Sequence, residues 1–454
     1  MFFTIVAPKS ITDNDIYSYS EILYMSKYLQ NAGHQVGVSL CKSDELTELA
    51  KVTNSDGTII ILQFLNESVL TWLKIFVATC CTKNRVVVYG LAAQTYAKEL
   101  KETYALEVIP TNSYNSILIY FQTGKPRALP HYPSEFTNPS YDIAVDSGLP
   151  VIPIIASRGC MNGCFFCAIA CSNSYIQQYK YKNASALSAE IKKYVVENNK
   201  SLFYFVDSCF ITDDKASYQR AANFAHAIIE AGIRIKFYFE TRVDCVCDRD
   251  LFVLLKKAGL RRVLLGMENV HPDVIARYNK RITPNQVLQA VSLLDRIGVR
   301  VDLSMILFDP LTTVDELIFN LRFIRDNGLF HYVEPYGIFR KLILLPNNRL
   351  SYAMNCCETA ESAPDVPHWY AHANDYIIKD STVREFKNAI DRYLPIWEEK
   401  VRFELNSLQG IKHKNSYQLQ KRGQLVSNVI CILENFSFGS SSDSYFTALM
   451  HTLL

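Results

Sequence analysis

Over about the first 120 residues, short apolar runs alternate with stretches whose apolar positions repeat at helical spacing. FFTIVA, QVGVSL, TIIIL, VVVY and LEVIP predict five strands. A helix from about Tyr19 to Asn31 follows the first and stops at Gly33. Continuous apolar strands separated by helices predict a parallel sheet covered on both faces. Residues 1–125 therefore read as an α/β, Rossmann-like, doubly wound domain.

Pro126, Pro130, Pro133, Pro139 and Pro150 punctuate a stretch with little periodicity, so 126–150 reads as a linker in which helix is disfavoured. A second strand–helix series occupies 151–340. Its strands are PIIAS, LFYFV, RIKFYFE, RVLLG, VDLSMIL and HYVEPYGIF. Between them lie helices with start and stop signals: Asp213, Asp248, Thr283-Pro284 and the Thr313/Glu316 box open helices, and Gly259, Gly298 and Gly328 close them. Six such steps predict a partial (β/α)6 barrel rather than a closed ring of eight. Residues 341–454 hold an irregular stretch with Cys356 and Cys357, then helical patterns at 382–408 and about 415–434. Pro395 predicts a kink in the first of these. This region is expected to be a helical cap.

Composition narrows the function. Hydrophobic residues are 49% and charged residues 20%, a globular balance. Net charge is +2 without a Lys/Arg block, so no nucleic-acid partner is expected. No apolar run is long enough to span a bilayer. MFFTIVAPKS lacks a basic leader and reads as a buried strand, which predicts a cytoplasmic protein. The cysteine count, 13, is odd and the residues are mostly scattered, so a disulfide framework is not expected. Cys41, Cys80, Cys81 and Cys431 read as small buried apolar residues.

The exception is SRGCMNGCFFCAIAC, residues 157–171. Cys160, Cys164 and Cys167 form CxxxCxxC just after a predicted strand. Zinc favours paired CxxC or CxxC with a His pair, and neither is present. A tight loop can instead give three thiolates to one [4Fe–4S] cube and leave one iron open. Gly159 and Gly163 let the backbone wrap closely. Cys171 reads as packing.

The spacing, with Phe166 as the aromatic, resembles the C-x3-C-x-aromatic-C motif of the radical S-adenosylmethionine (SAM) superfamily. The resemblance implies that SAM chelates the open iron and is cleaved reductively to a hydrogen-abstracting 5′-deoxyadenosyl radical. FVDSCF, ETRVD, KKAGLRRVLLGMEN, YNKRIT and VDLSMIL resemble, more narrowly, the cobalamin-binding-domain-containing group, which includes the anaerobic magnesium-protoporphyrin cyclase and many C-methyltransferases. This likeness covers about 1–340, strongly in 155–330 and weakly in 1–125. It implies that Asp207 and Ser208 meet the SAM amino group, that Glu240 and Arg242 lie near its ribose and carboxylate, and that Gly266 and Glu268 form the fourth-strand motif. Asp309 ends the next strand. Taken singly, each of these residues reads equally as a cap or an ion pair.

There are departures. No Asp-x-His-x-x-Gly follows the first strand. The glycine turn keeps Gly90 but continues with Leu91 and Ala92, and PTNSYNS replaces the acidic glycine-rich exit. FDPLTT keeps only Pro310 and Thr313 of the fifth-strand loop. Two expectations stand side by side. One is cobalamin-dependent C-methylation of a natural product or peptide. The other is radical cyclisation, bond formation or rearrangement with a vestigial N-terminal domain. A non-catalytic iron–sulfur protein would not explain polar residues at successive strand ends. The expected partners are a small-molecule or peptide substrate and an electron donor such as flavodoxin or ferredoxin. His368, Trp369 and Tyr370 are read as packing or as part of the substrate pocket.

Overall fold

The computed structural model describes the chain apart from residues 10–14, 47–54, 81–84, 112, 130–137, 147–148, 172–178, 346–348, 351–366, 368–375, 408–410 and 436–454. The first unit contains β1 (Phe2–Pro8), α1 (Asp15–Asn31), β2 (Gln35–Cys41), β3 (Gly57–Ile61), α2 (Glu67–Cys80), β4 (Arg85–Tyr89), α3 (Leu91–Thr95), α4 (Ala97–Tyr104), β5 (Glu107–Val108) and α5 (Tyr114–Thr123). All five expected strands form, parallel, in the order β2-β1-β3-β4-β5. This is a doubly wound order with a switch point between β1 and β3. Alternation along the strands explains the apolar runs. Ile5, Ile59 and Val87 join the large core on the α1 side, while Val6, Ile60 and Val88 join a second core with Trp72 and Phe76 of α2.

The expected linker is not all irregular: it contains α6 (Tyr141–Asp146), packed on α1 through Ser140 N–H to the Leu23 carbonyl at 3.0 Å. The second unit runs β6 (Ile152–Ile154), β7 (Ser157–Arg158), α7 (Ala168–Cys171), β8 (Lys180–Tyr181), α8 (Ala184–Asn198), β9 (Leu202–Phe205), α9 (Lys215–Glu230), β10 (Lys236–Arg242), α10 (Arg249–Ala258), β11 (Leu260–Glu268), α11 (Pro272–Arg277), α12 (Pro284–Arg296), β12 (Arg300–Met305), α13 (Val314–Asp326) and α14 (Pro335–Ile338). β6, β9, β10, β11 and β12 are neighbours in that order and parallel. The expected caps hold at Asp248, Thr283 and Thr313, but α9 is capped by Asp214, not Asp213. Asp214 sits where its carboxylate reaches the Ser217 N–H at 2.8 Å.

The sixth strand is not HYVEPYGIF. The second half of that stretch forms α14, with Pro335 in its first turn, where the missing N–H costs nothing. The sixth place is marked instead by a single parallel bridge between Phe308 and Lys341.

The last helices are α15 (Ser381–Ser407), with Pro395 inside, and α16 (Ile411–Asn435). α15 packs on the chain just after β12, with the Phe386 ring centroid 6.1 Å from that of Phe308. α16 packs on α13, with Arg322 paired to Glu434 at 2.7 Å. Among the described residues no helix is long and apolar enough to cross a membrane.

One helix joins the two units. Tyr17, Glu21 and Tyr24 share a face of α1 by helical spacing, and each bonds to the barrel. Tyr17 reaches Glu240 at 2.6 Å. Glu21 forks Arg158 at 2.6 and 2.8 Å. Tyr24 bonds Glu190 and Lys182 and accepts the Ile155 N–H at 3.1 Å. The guanidinium of Arg158 also donates to the Tyr114 hydroxyl. Arg158 and Glu21 are both buried, so removing one strands the other. Glu21→Ala is expected to cost about 3–5 kcal/mol in urea unfolding. Replacing Glu21 and Arg158 together by Met is expected to cost less.

Candidate functional site

The cysteine loop leaves β7 at Gly159, whose φ of 86° needs a residue without a side chain. Cys164 is buried; Cys160 and Cys167 are partly exposed. The segment after α11 clamps the loop. Phe165 N–H donates to the Tyr278 carbonyl at 2.9 Å, and Asn279 Nδ2 donates to the Gly163 carbonyl at 2.8 Å. The Phe166 ring lies 5.3 Å from the Tyr278 ring and 5.7 Å from the Lys280 ammonium. Arg242 donates to Cys164 Sγ at 3.3 Å and to the Lys280 carbonyl at 2.6 Å, and is held by Asp244 at 2.8 Å. Two cations thus face a loop of thiols.

Below the loop the barrel interior is polar. Phe237 and Phe239 of β10 face outward onto Phe224 and Phe210. By alternation Tyr238, Glu240 and Arg242 face inward. Register stacks them in layers. Tyr204, Tyr238 and Arg262 are neighbours at the bottom, with Tyr204 and Tyr238 stacked at 4.5 Å. Glu240, Leu264 and Asp302 come next, and Arg242, Gly266 and Ser304 lie nearest the cysteines.

The expected site residues divide accordingly. Arg242, Gly266 and Glu268 converge beneath the loop. A Cβ on Gly266 would stand 2.9 Å from Glu268 Oε1 and 3.0 Å from Lys280 Nζ, so its bareness makes room for that ion pair. Glu268 holds Lys280 at 3.3 Å and Ser304 Oγ at 2.6 Å. Its φ is 64°, a strained conformation for a residue with a side chain. Asn279 and Arg281 share this conformation, so three of the five left-handed non-glycine residues described lie at this site. Glu240 is taken by Tyr17 and Tyr204. Asp207 turns back to the first strand, accepting from Ala156 N–H at 2.8 Å and Ser157 Oγ at 2.7 Å. Burial pushes its carboxyl above the usual carboxylate range, against the pull of Arg220 and these donors. Ser208 stands half-buried in the same turn. Asp309 is spent on Arg277 at 2.9 Å.

Burial also raises the thiols: Cys167 to about 12, and Cys164 against the pull of Lys280 and Arg242. Cys160 is raised first by its hydrogen bond with Cys209. Ligation of such thiols expels their protons. Among the described residues no three His, Cys, Asp or Glu side chains converge as they would around one ion. A cube takes each thiolate at a separate iron corner, and the surrounding cations and N–H donors suit its negative charge. The donor set fits a [4Fe–4S] cluster.

At the first sheet's strand ends, Gly90 has a φ of 126°, and a Cβ there would lie 2.3 Å from the Leu62 carbonyl oxygen. The glycine serves this chain crossing. Gln63 accepts the Leu91 N–H at 3.2 Å. Phe64 is 40% exposed, with its ring 5.1 Å from that of Tyr17. α3 packs against α7, so these strand ends adjoin the cysteine loop. The one histidine in 1–125, His34, precedes β2 at the opposite edge.

Residues 154–323 match the family model of the Radical SAM superfamily. The chain carries a radical SAM domain. It is 26% identical over 252 residues to an uncharacterised methyltransferase of Pyrococcus horikoshii, covering 52% of this chain and 53% of that protein. It is 25% identical over 158 residues to the hopanoid C-3 methylase of Methylococcus capsulatus, covering 35% of this chain and 29% of the methylase. The chain thus spans about half or less of these curated relatives. The fold is similar to that of the cobalamin-dependent S-adenosylmethionine radical enzyme OxsB with aqua-cobalamin bound. There the TM-score is 0.77 at 14% identity, covering 100% of this chain and 75% of that one.

Sequence reasoning missed several residues in and around the radical SAM domain. Tyr278, Asn279 and Lys280 were visible only as part of a resemblance, since nothing local in YNK announces a clamp. Tyr17, Glu21 and Tyr24 left a signal, polar-tipped residues at helical spacing. Cys209 was not singled out, although it contacts Cys160. Cys356, Cys357, His368, Trp369 and Tyr370 lie outside the described residues, as does the side chain of Cys171. Asp207→Ala leaves two buried donors without an acceptor and is expected to cost about 1–3 kcal/mol. Iron retained after anaerobic reconstitution should fall with it, while Asp207→Asn should be milder on both readouts.

Proposed function

We propose that this protein is a radical SAM enzyme that uses a [4Fe–4S] cluster on Cys160, Cys164 and Cys167 to cleave SAM. It would then abstract hydrogen from an unactivated carbon and methylate that carbon with cobalamin as methyl carrier. The observation that carries the reading is the clamped cysteine loop with Arg242 on Cys164 Sγ. When bound, the cluster supplies one electron to the sulfonium of SAM, leaving a 5′-deoxyadenosyl radical and methionine.

The chain's own part is to orient and exclude. Arg242 and Lys280 face the loop as fixed cations and favour both a thiolate cluster and a ligand carboxylate. Glu268, held by Lys280 and Ser304, offers an acceptor for an ammonium or hydroxyl. Ser208 offers a hydroxyl. Glu240 orders the Tyr17 and Tyr204 hydroxyls along the lumen wall. Asp207 acts through Ala156 and Ser157, steadying the strand that feeds the cysteines.

Support for cobalamin comes from the adjacency of the Rossmann strand ends to this loop and from the likeness to OxsB over the whole chain. Gln63, Phe64 and Leu91 would give a corrin ring an amide and apolar surface, and the domain would offer cobalt no imidazole there. The substrate class is a small molecule or peptide.

Anaerobic reconstitution should give a brown protein with a [4Fe–4S] electron paramagnetic resonance signal on reduction, and 5′-deoxyadenosine from SAM. Cys164→Ala should lose signal and product together; retention of both would overturn the assignment. Added hydroxocobalamin should co-elute stoichiometrically with the protein. If it does not, the methyl-carrier role fails while SAM cleavage stands. Tyr17→Phe, which keeps the ring but loses the Glu240 bond, should lower 5′-deoxyadenosine formation about ten-fold or less, with iron content unchanged.

A further inference from the structure

Beside the three ligand cysteines stands a further thiol that the iron site does not need. Cys209 follows β9, is 1% exposed, and accepts a hydrogen bond from the Cys160 thiol. Its surroundings are not those of a packed apolar side chain. Its Sγ donates to the Ile211 carbonyl at 3.0 Å and faces Thr241 Oγ1 at 3.5 Å. The turn that carries it is pinned, with Phe210 N–H donating to the Glu240 carbonyl at 2.9 Å and Arg220 donating to the Phe210 carbonyl. Cys160 is instead partly exposed on a loop, one residue after Gly159 with its positive φ. Cys164 faces Arg242 rather than another thiol, at 3.3 Å. Thiols in hydrogen-bond contact are too close to hold separate corners of one cube, so Cys209 as placed is not a fourth ligand. They are well placed for a different bond, since a disulfide only asks the two sulfurs to close to about 2.05 Å.

We propose that Cys209 is the oxidation partner of Cys160: in the iron-free chain a peroxide joins the two in a disulfide that keeps the ligand cysteine in a recoverable form. This rests on Cys160 being an iron ligand, as proposed above. With its proton the Cys160 thiol is inert, but departure of iron leaves it as the reactive thiolate. The thiolate attacks one peroxide oxygen, giving a sulfenic acid and hydroxide. The Cys209 sulfur then attacks the oxidised sulfur; the S–S bond forms, the S–O bond breaks, and the leaving hydroxide takes the Cys209 proton as water. Two thiols lose two electrons and one hydrogen peroxide becomes two waters. Without a neighbouring thiol a sulfenic acid climbs to sulfinic acid, which dithiothreitol does not reverse. Cys245 also contacts Cys209 but is fully buried, whereas Cys160 is the thiol that an oxidant reaches.

The test takes the full-length chain stripped of iron by a chelator, treats it with hydrogen peroxide, blocks free thiols in denaturant and digests it with trypsin. Mass spectrometry should find peptide 159–180 joined to peptide 201–215, with fragment ions placing the bond on Cys160 and Cys209 and dithiothreitol removing it. In Cys209→Ser the same treatment should leave Cys160 with a two-oxygen mass gain that dithiothreitol does not remove. Each protein is also loaded with iron before oxidation, and again after oxidation and dithiothreitol. The second loading, as a fraction of the first, should return in wild type and be lost in Cys209→Ser. Disulfides confined to the cysteine loop, a bond from Cys209 to Cys245 or Cys171 instead, or equal recovery by wild type and variant would overturn the pairing. If wild type takes up no iron before oxidation, the functional reading fails while the peptide map still decides the pair, so the two failures are distinguishable.

Discussion

A guanidinium cannot remain buried without an anion, and Arg158 sits two residues before Cys160. The carboxylate that satisfies it, Glu21, belongs to the other unit. This single requirement couples the Rossmann-like sheet to the geometry of the cysteine loop. Tyr114 completes the arrangement from α5, and the Tyr24–Lys182–Glu190 group repeats it one turn further along α1. The pairs are costly to desolvate, and hydrophobic substitutes often match such pairs in stability. Their value here is directional: they fix how one unit sits on the other.

The barrel inverts the usual economy of a closed (β/α) ring, whose interior is filled by branched apolar side chains. Here the aromatic core lies outside the sheet, in the Phe203–Phe205–Phe237–Phe239 layer against α9, and the lumen carries tyrosines, acids and arginines. An incomplete ring leaves room for ligands, and the polar lining gives them partners. The strain collects at the same end. Left-handed Glu268, Asn279 and Arg281 flank the loop, where neighbouring hydrogen bonds can hold an unfavourable backbone in place.

Much of this was legible. Five parallel strands in the first sheet followed from continuous apolar runs, because both faces of that sheet are covered. The barrel strands and most helix boundaries followed from caps, since Asp248, Thr283 and Thr313 act within three residues of themselves. The cysteine loop was legible because its chemistry is local. What failed was non-local. HYVEPYGIF has strand-like composition, but Pro335 starts a helix there and the bridge moves to Lys341. Asp207 sits at a strand end as expected, yet its carboxylate is claimed by the neighbouring strand, a partner fifty residues away in sequence. The clamp at Tyr278–Lys280 acts across more than a hundred residues, and no spacing rule reports such a contact.

The stripe on α1 bears on how proteins of this architecture recombine. A barrel spliced onto a foreign amino-terminal domain would inherit Arg158 and Glu240 without the tyrosines and the acid that meet them. Such a chimera would retain its cysteines yet present an orphaned cation directly upstream of them. Lineages that exchange these domains must therefore trade the three-residue stripe together with its receptors, and the two units should descend as a matched pair rather than as interchangeable parts.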